Sequence, residues 1–287
     1  MSEVGKFAYV TGGASGIGRA VATMLVGKGI KVFIADRNTE GAKDCAASLN
    51  EKTKNMVSFG TVDVTDWESQ IACFEKALAE SGGRIDYVYP IAGIGERIWL
   101  PNDPNKKSGF VKPDLAVLDA DLNGVLYTVA LALQQFRRQE PDSNGFRGKL
   151  APVASVCGFY CSPTIPVYTA AKHGVVGFTR SFGKYLPEEG ITMNAVCPNV
   201  IRTNISAPAF YDLLESKGIL TPMEGLIEAF ASMLGSSSVS GEIFEVGPNG
   251  GYKIRPAQDY MDVESKAAID AIYGRSRYMQ RPAGEAQ

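Results

Sequence analysis

Apolar residues along this chain fall into two patterns: short continuous runs, and longer stretches repeating every three to four positions. Continuous runs bounded by turn residues read as buried strands, and the three-to-four spacing reads as helix. Strands are expected at Phe7–Thr11, Lys31–Ala35, Met56–Val62, Asp86–Ile91, Lys149–Ser155, Ile191–Cys197 and Gly241–Gly247. Helices are expected at Ile17–Val26, Asp66–Ala79, Leu115–Gln139, Pro166–Leu186 and Met223–Met233. The Leu115–Gln139 stretch is the most regular, with Leu115, Leu118, Leu122, Leu126, Val129, Leu133 and Phe136 in phase. Alternating strands and helices predict an α/β fold, a doubly wound parallel sheet of about seven strands with helices on both faces. The expected domain covers residues 1–251, and a partly helical extension (Val263–Tyr273) lies within 252–287.

Three stretches break the pattern. Gly95–Pro113 is rich in proline, glycine and polar residues, and reads either as a lid near the carboxyl ends of the strands or as functionless irregular chain. Thr203–Leu220, with Pro208, Phe210 and Tyr211, suits either a mobile substrate-covering segment or an amphipathic helix that packs its aromatics. The tail beyond Gly251 is open to three roles: covering a site, packing on a partner subunit, or fraying.

Composition narrows the function classes. The chain has 287 residues, 45% of them hydrophobic, with 29 basic against 31 acidic side chains. Balanced charge, with no basic cluster beyond Lys106-Lys107, argues against a nucleic-acid partner. The apolar run Phe7–Val10 is too short for a signal-peptide core, and no segment reads as a membrane span, so a soluble cytoplasmic protein is expected. Cys45, Cys73, Cys157, Cys161 and Cys197 are scattered and read as free thiols. Neither they nor the single histidine, His173, builds a metal site or a Ser-His-Asp hydrolase, so no metal is expected.

The chemistry begins at the first turn. After the first strand comes T-G-G-A-S-G-I-G, with glycines at 12, 16 and 18 opening a helix. In that context Gly12 permits the tight turn, Gly16 admits a pyrophosphate, and Gly18 lets helix and strand pack. The helix amino terminus attracts the anion. This is a Rossmann-type dinucleotide cradle. The second strand ends on Asp36, where a carboxylate would bind an adenosine ribose diol and repel a 2′-phosphate, favouring NAD. Arg37 beside it can bind phosphate or stack on adenine. Asp63 and Val64 end the third strand, to face the adenine, or Asp63 and Thr65 start the next helix at Asp66–Ala79, or both. Asn123, among apolar neighbours, is either a satisfied core amide or a site residue.

Ser155 falls at a strand's carboxyl end, where ligands bind in such sheets. Tyr168 and Lys172 share one helical face at i and i+4, and the ammonium is expected to lower the phenol's pKa from its usual 10 or so. Cys157 and Phe159 would line a pocket or fill core, and His173 is expected to pack or face solvent.

T-G-G-A-S-G-I-G (11–18), Asp63, Asn123, Ser155 and Y-x-x-x-K (168–172), in this order and spacing, resemble the short-chain dehydrogenase/reductase family over about residues 5–250. Y-T-A-A-K-H-G-V-V-G-F-T-R-S (168–181), N-A-V-C-P-N-V-I-R-T (194–203) and G-I-L-T-P (218–222) look closest to NAD-dependent hydroxyprostaglandin dehydrogenases. The resemblance implies a secondary alcohol–ketone oxidoreductase with NAD as cofactor and Tyr168 as general acid/base. Lys172 would assist the tyrosine and bind the nicotinamide ribose, Ser155 would hold the substrate oxygen, and Asn123 would support a water serving Lys172. Cofactor contacts are implied at Gly12, Ser15, Gly16, Ile17, Gly18, Asp36, Arg37, Asp63, Val64, Ala92, Gly93, Tyr168, Lys172, Pro198, Val200 and Thr203. Substrate contacts are implied at Ser155, Cys157, Ile165 and Tyr168. Ile165 stands where the prostaglandin enzymes look polar, so an apolar alcohol or ketone is expected. The helices at 115–139 and 166–186 imply a homodimer or homotetramer.

Two departures stand out. Ile91 replaces the asparagine that usually braces the cofactor site, and Asn199 replaces a glycine, where its tolerance of positive φ would preserve the turn. They motivate an alternative, a cofactor-binding protein of this fold with a cyclase, isomerase or regulatory role. A pure interaction scaffold would leave the glycine turn and Asp36 without a purpose.

Overall fold

The computed structural model describes residues 3–53, 55–105 and 108–280. It divides into one unit ending at Arg255 and another beginning at Pro256. Lys106 and Lys107, the basic pair noted above, lie outside the described residues.

In the first unit β1 (Phe7–Thr11) is buried along its whole length and is flanked by β2 (Lys31–Asp36) and β4 (Tyr87–Pro90), both parallel to it. β3 (Val57–Thr61), β5 (Gly148–Leu150) and β6 (Ile191–Met193) complete a six-stranded sheet in the order β3-β2-β1-β4-β5-β6. β7 (Ala195–Pro198) pairs parallel with β8 (Ile243–Val246), which pairs antiparallel with β9 (Tyr252–Arg255). The two groups are continuous. Val196 N donates to Pro152 O (3.0 Å) and Ala154 N donates to Val196 O (2.8 Å), so β7 prolongs β6 beside the end of β5. The strand breaks at Asn194, whose amide donates to Val239 O and accepts from Glu242 N. Counting β6 and β7 as one strand makes seven parallel strands, and β9 is an addition that the polar alternation Y-K-I-R concealed.

Successive side chains of a strand point to opposite faces. Ala8 and Val10 therefore join Leu25, Ile34 and Phe230 on one face, while Phe7 and Tyr9 join Phe33, Phe136 and Met193 on the other. Helices cover both faces: α1 (Gly16–Gly27), α2 (Thr39–Asn50), α3 (Trp67–Glu80), α4 (Ala116–Arg137), α5 (Pro166–Tyr185), α6 (Pro208–Ser216) and α7 (Met223–Ala231). α2 carries little apolar contrast because its buried stripe is mostly small residues, Ala42, Cys45, Ala46 and Leu49. Among the described residues α4 alone is long and apolar enough, by length and composition, to cross a membrane, and half of its apolar window is buried inside the fold. Within it, Asp119–Asn123 forms a π-helical turn. The second unit contains α8 (Val263–Ser276), capped by Asp262, with no buried residue.

Candidate active site

The turn from β1 into α1 is built by close backbone approach. Gly12 and Gly16 have φ of +69° and +50°, and a Cβ on Gly18 would lie 2.1 Å from Gly12 O. A Cβ on Gly12 would lie 2.8 Å from Ala92 Cα, so the turn rests against the end of β4. Ser15 is the N-cap of α1 but contributes no side-chain cap, which leaves the helix amino terminus, with Ile17 and Gly18 in its first turn, to an anionic ligand. The Asp36 carboxylate accepts from Ala14 N (3.0 Å) and Asn38 N (2.9 Å), which fixes it between the glycine turn and the end of β2. Arg37 beside it is exposed. These residues fit a dinucleotide: a side-chain-free cradle, an open helix terminus, and a carboxylate at the ribose position.

The departures resolve locally. The Thr11 hydroxyl accepts from Ile91 N (3.0 Å) and Ala92 N (3.2 Å), bracing the chain before Gly93 from β1. The Ile91 side chain packs on the core. Asn199 does not adopt positive φ, which among non-glycine described residues only Asn55 does; instead its side chain accepts from Val200 N. Pro198 is buried, Val200 O accepts from Thr221 N, and Thr203 lies against Gly16. Asp63 accepts from Thr65 N and Oγ1, which holds its carboxyl below the usual range, while Asp66 caps α3. The Asp63 side chain thus shapes the turn, and Val64 packs against Gly124.

Ser155, Tyr168 and Lys172 converge from the turn after β5 and from α5. Ser155 is buried, its Oγ accepts from Cys157 N (3.1 Å), and it lies close enough to the Tyr168 phenol to act on its pKa. Lys172 Nζ lies 5.3 Å from the Tyr168 ring centroid and donates to Val153 O (3.5 Å). Cys157 and Ile165 are half-buried, one two residues after Ser155 and the other the N-cap of α5.

Asn123 is not brought to this cluster. It is exposed and donates to Asp119 Oδ1 (3.1 Å). The residue beside Lys172 is Asp121, with Oδ2 at 3.0 Å from Nζ and both side chains almost fully buried. The π-turn, with its wider i→i+5 closure, carries Asp121 inward and Asn123 outward. A sequence signal existed, because Asp121 is spaced by four and eight from the buried Val117, Val125 and Val129. Glu96 was also missed. Its carboxylate accepts from Val167 N (3.3 Å) and Tyr168 N (2.6 Å), capping the helix that carries the tyrosine from a loop some seventy residues away.

The electrostatics reverse one expectation. Tyr168's pKa is raised above 10.0 rather than lowered: burial of the phenol is the largest effect, and Asp121 and Cys157 add to it. Lys172 and Ser155 pull the other way without prevailing. For Lys172, burial lowers the pKa, but the charges of Asp121 and Tyr168 more than offset this and raise it.

Around the cluster the loops are apolar. A Cβ on Gly95 would lie 3.1 Å from Ile205, so the loops after β4 and β7 meet here. Ile98, Trp99, Leu100 and Phe110 on the first loop, Ile205 on the second, and Phe210 and Leu213 on α6 expose apolar surface. Tyr211 is buried, and its hydroxyl bonds Thr203 and accepts from Ser206 N. The base of the first loop is clipped by Arg97–Asp114 (3.2 Å) and by Asp114 N donating to Trp99 O. A surface cavity of about 370 Å³, lined by Lys43, Asn50, Phe59, Lys76 and Glu80, contains none of these residues.

Residues 6–213 match the family model for short chain dehydrogenases. The chain belongs to the short-chain dehydrogenase/reductase family. Among members of this oxidoreductase family, short-chain dehydrogenase/reductase prx7 of Penicillium rubens is 35% identical over 202 residues, 68% of this chain and 69% of its own length. Human 15-hydroxyprostaglandin dehydrogenase (NAD+) is 34% identical over 204 residues, 70% of each chain. The solved structure of 3-hydroxyacyl-CoA dehydrogenase type-2 from Mycobacterium avium superimposes with a TM-score of 0.70 at 27% identity, covering 88% of this chain and 98% of that one.

Proposed function

We propose that this family member interconverts a secondary alcohol and a ketone of an apolar small molecule, with NAD as hydride partner and Tyr168 as general acid/base. The observation that carries the reading is the meeting of Ser155, Tyr168 and Lys172 at the carboxyl end of β5, in a fold whose β1–α1 turn fits a dinucleotide. NAD, when bound, supplies the hydride acceptor. Ser155 Oγ holds the substrate oxygen, and Tyr168 Oη takes its proton in oxidation and returns it in reduction. Lys172 sets the charge beneath the phenol and is the residue that would reach the nicotinamide ribose. Asp36, anchored by two backbone N–H groups, supports NAD over NADP, as does the NAD+ in the name of the human relative. The apolar side chains on the two loops and α6 support an apolar substrate.

The test is reduced-nicotinamide absorbance with a panel of secondary alcohols and both cofactors. Tyr168→Phe is expected to lower kcat at least about 100-fold while NAD still binds. Turnover retained in that variant would overturn the reading.

A further inference from the structure

A buried carboxylate faces Lys172 where the family resemblance led to an amide. Asp121 Oδ1 accepts from Ile94 N (2.7 Å), while Oδ2 makes no well-aligned hydrogen bond and points at the ammonium 3.0 Å away. The approach is tight, for a Cβ on Gly93 would lie 3.1 Å from Oδ2. The other titratable groups facing the pair are Tyr168 from α5, Cys157 from the turn after β5, and Cys197 from β7. Burying an ion pair adds little stability over apolar packing, which leaves the placement of charge as its role.

We propose that Asp121 is a positioning residue: its carboxylate pins the Lys172 ammonium below Tyr168 and cancels the positive field that would otherwise draw the phenol toward phenolate. This rests on the assignment of Tyr168 as acid/base. With the pair intact, the tyrosine is surrounded by a near-neutral couple instead of a lone cation, and it holds its proton to higher pH. Burial and Asp121 both act in that direction.

Asp121→Asn keeps the shape and the acceptor for Ile94 N but removes the charge. The lone ammonium then favours the phenolate. The ionisation of Tyr168 is expected to move to lower pH by about one unit, the usual effect of an opposite charge at this range.

Two readouts test this. The first is an alkaline titration of phenolate absorbance in cofactor-free protein, with the curve of the matching Tyr168→Phe background subtracted. The second is the pH profile of kcat for alcohol oxidation, whose acidic limb should move by the same amount. Asp121→Glu, which restores the charge, should return both toward wild type. Should Asp121→Asn fail to fold, Asp121→Ser provides the neutral variant with the same expected shift. An unmoved phenolate titration overturns the role of Asp121 even if Tyr168→Phe is inactive. Full activity in Tyr168→Phe overturns the functional reading instead, and the phenolate titration still reports on Asp121.

Discussion

Glu96 caps α5, the helix that carries Tyr168 and Lys172, from outside it. α5 begins with Pro166, which has no N–H, and its N-cap Ile165 offers no side-chain acceptor. The next donors, Val167 N and Tyr168 N, both give their hydrogens to the Glu96 carboxylate, at 3.3 and 2.6 Å. Glu96→Ala strips both. A hydrogen bond to a charged group contributes about 1.5–3 kcal/mol when its loss leaves the donor dry. Here Tyr168 and Glu96 are only half-buried, so water replaces part of the loss. The remainder is of the size of a lost N-cap, about 1–2 kcal/mol, including the carboxylate's attraction to the helix amino terminus. For a unit of this size that corresponds to a Tm lower by about 2–8 °C. Because one lost bond is to the backbone of Tyr168 itself, kcat should fall more than KM rises. Thermal unfolding and steady-state kinetics of Glu96→Ala and Glu96→Gln check this, with the glutamine, which keeps an acceptor without the charge, intermediate. An unchanged Tm with unchanged kcat in Glu96→Ala would refute the reasoning, because water would then serve α5 as well as the carboxylate.

Two further outcomes are expected. Gly18→Ala places a Cβ 2.1 Å from the Gly12 carbonyl, backbone that cannot yield, so cofactor affinity should fall at least about tenfold in a binding titration. Gly27→Ala, whose Cβ meets nothing, should bind cofactor as wild type. Lys149 is buried, which lowers its pKa from 10.5 to about 8. Between those values the unfolded chain holds a proton that the folded protein lacks, so this group's contribution to stability rises with pH across that window. Against Lys149→Met in urea unfolding, wild type should gain about 1–2 kcal/mol from pH 8 to 10.5, less than the full shift implies because a protein interior relaxes around a charge. A difference that stays constant with pH would refute it.

The sheet and the cradle were legible because their signals are local. Strand runs, the glycines of the β1–α1 turn and the i, i+4 pairing of Tyr168 with Lys172 depend on neighbours a few residues away. The same locality explains what was concealed: α2 buries small residues with little apolar contrast, and β9 alternates polar and apolar side chains at the edge of the sheet.

By itself the sequence determined the α/β alternation, the tyrosine–lysine pair and the carboxylate that ends β2. Spacing put Asp121 on the buried face of α4 with Val117 and Val125, but only tertiary structure decided that Lys172 from α5 would meet it there. It also decided the direction of Tyr168's pKa, because desolvation depends on everything packed around the phenol while the i, i+4 lysine is only one term in that field. The hydroxyl that accepts from Ile91 N comes from Thr11, and the cap of α5 from Glu96, residues about eighty and seventy positions from the groups they hold. Spacing along a chain predicts contacts within one element; contacts between elements exist only once the sheet has brought its carboxyl ends together.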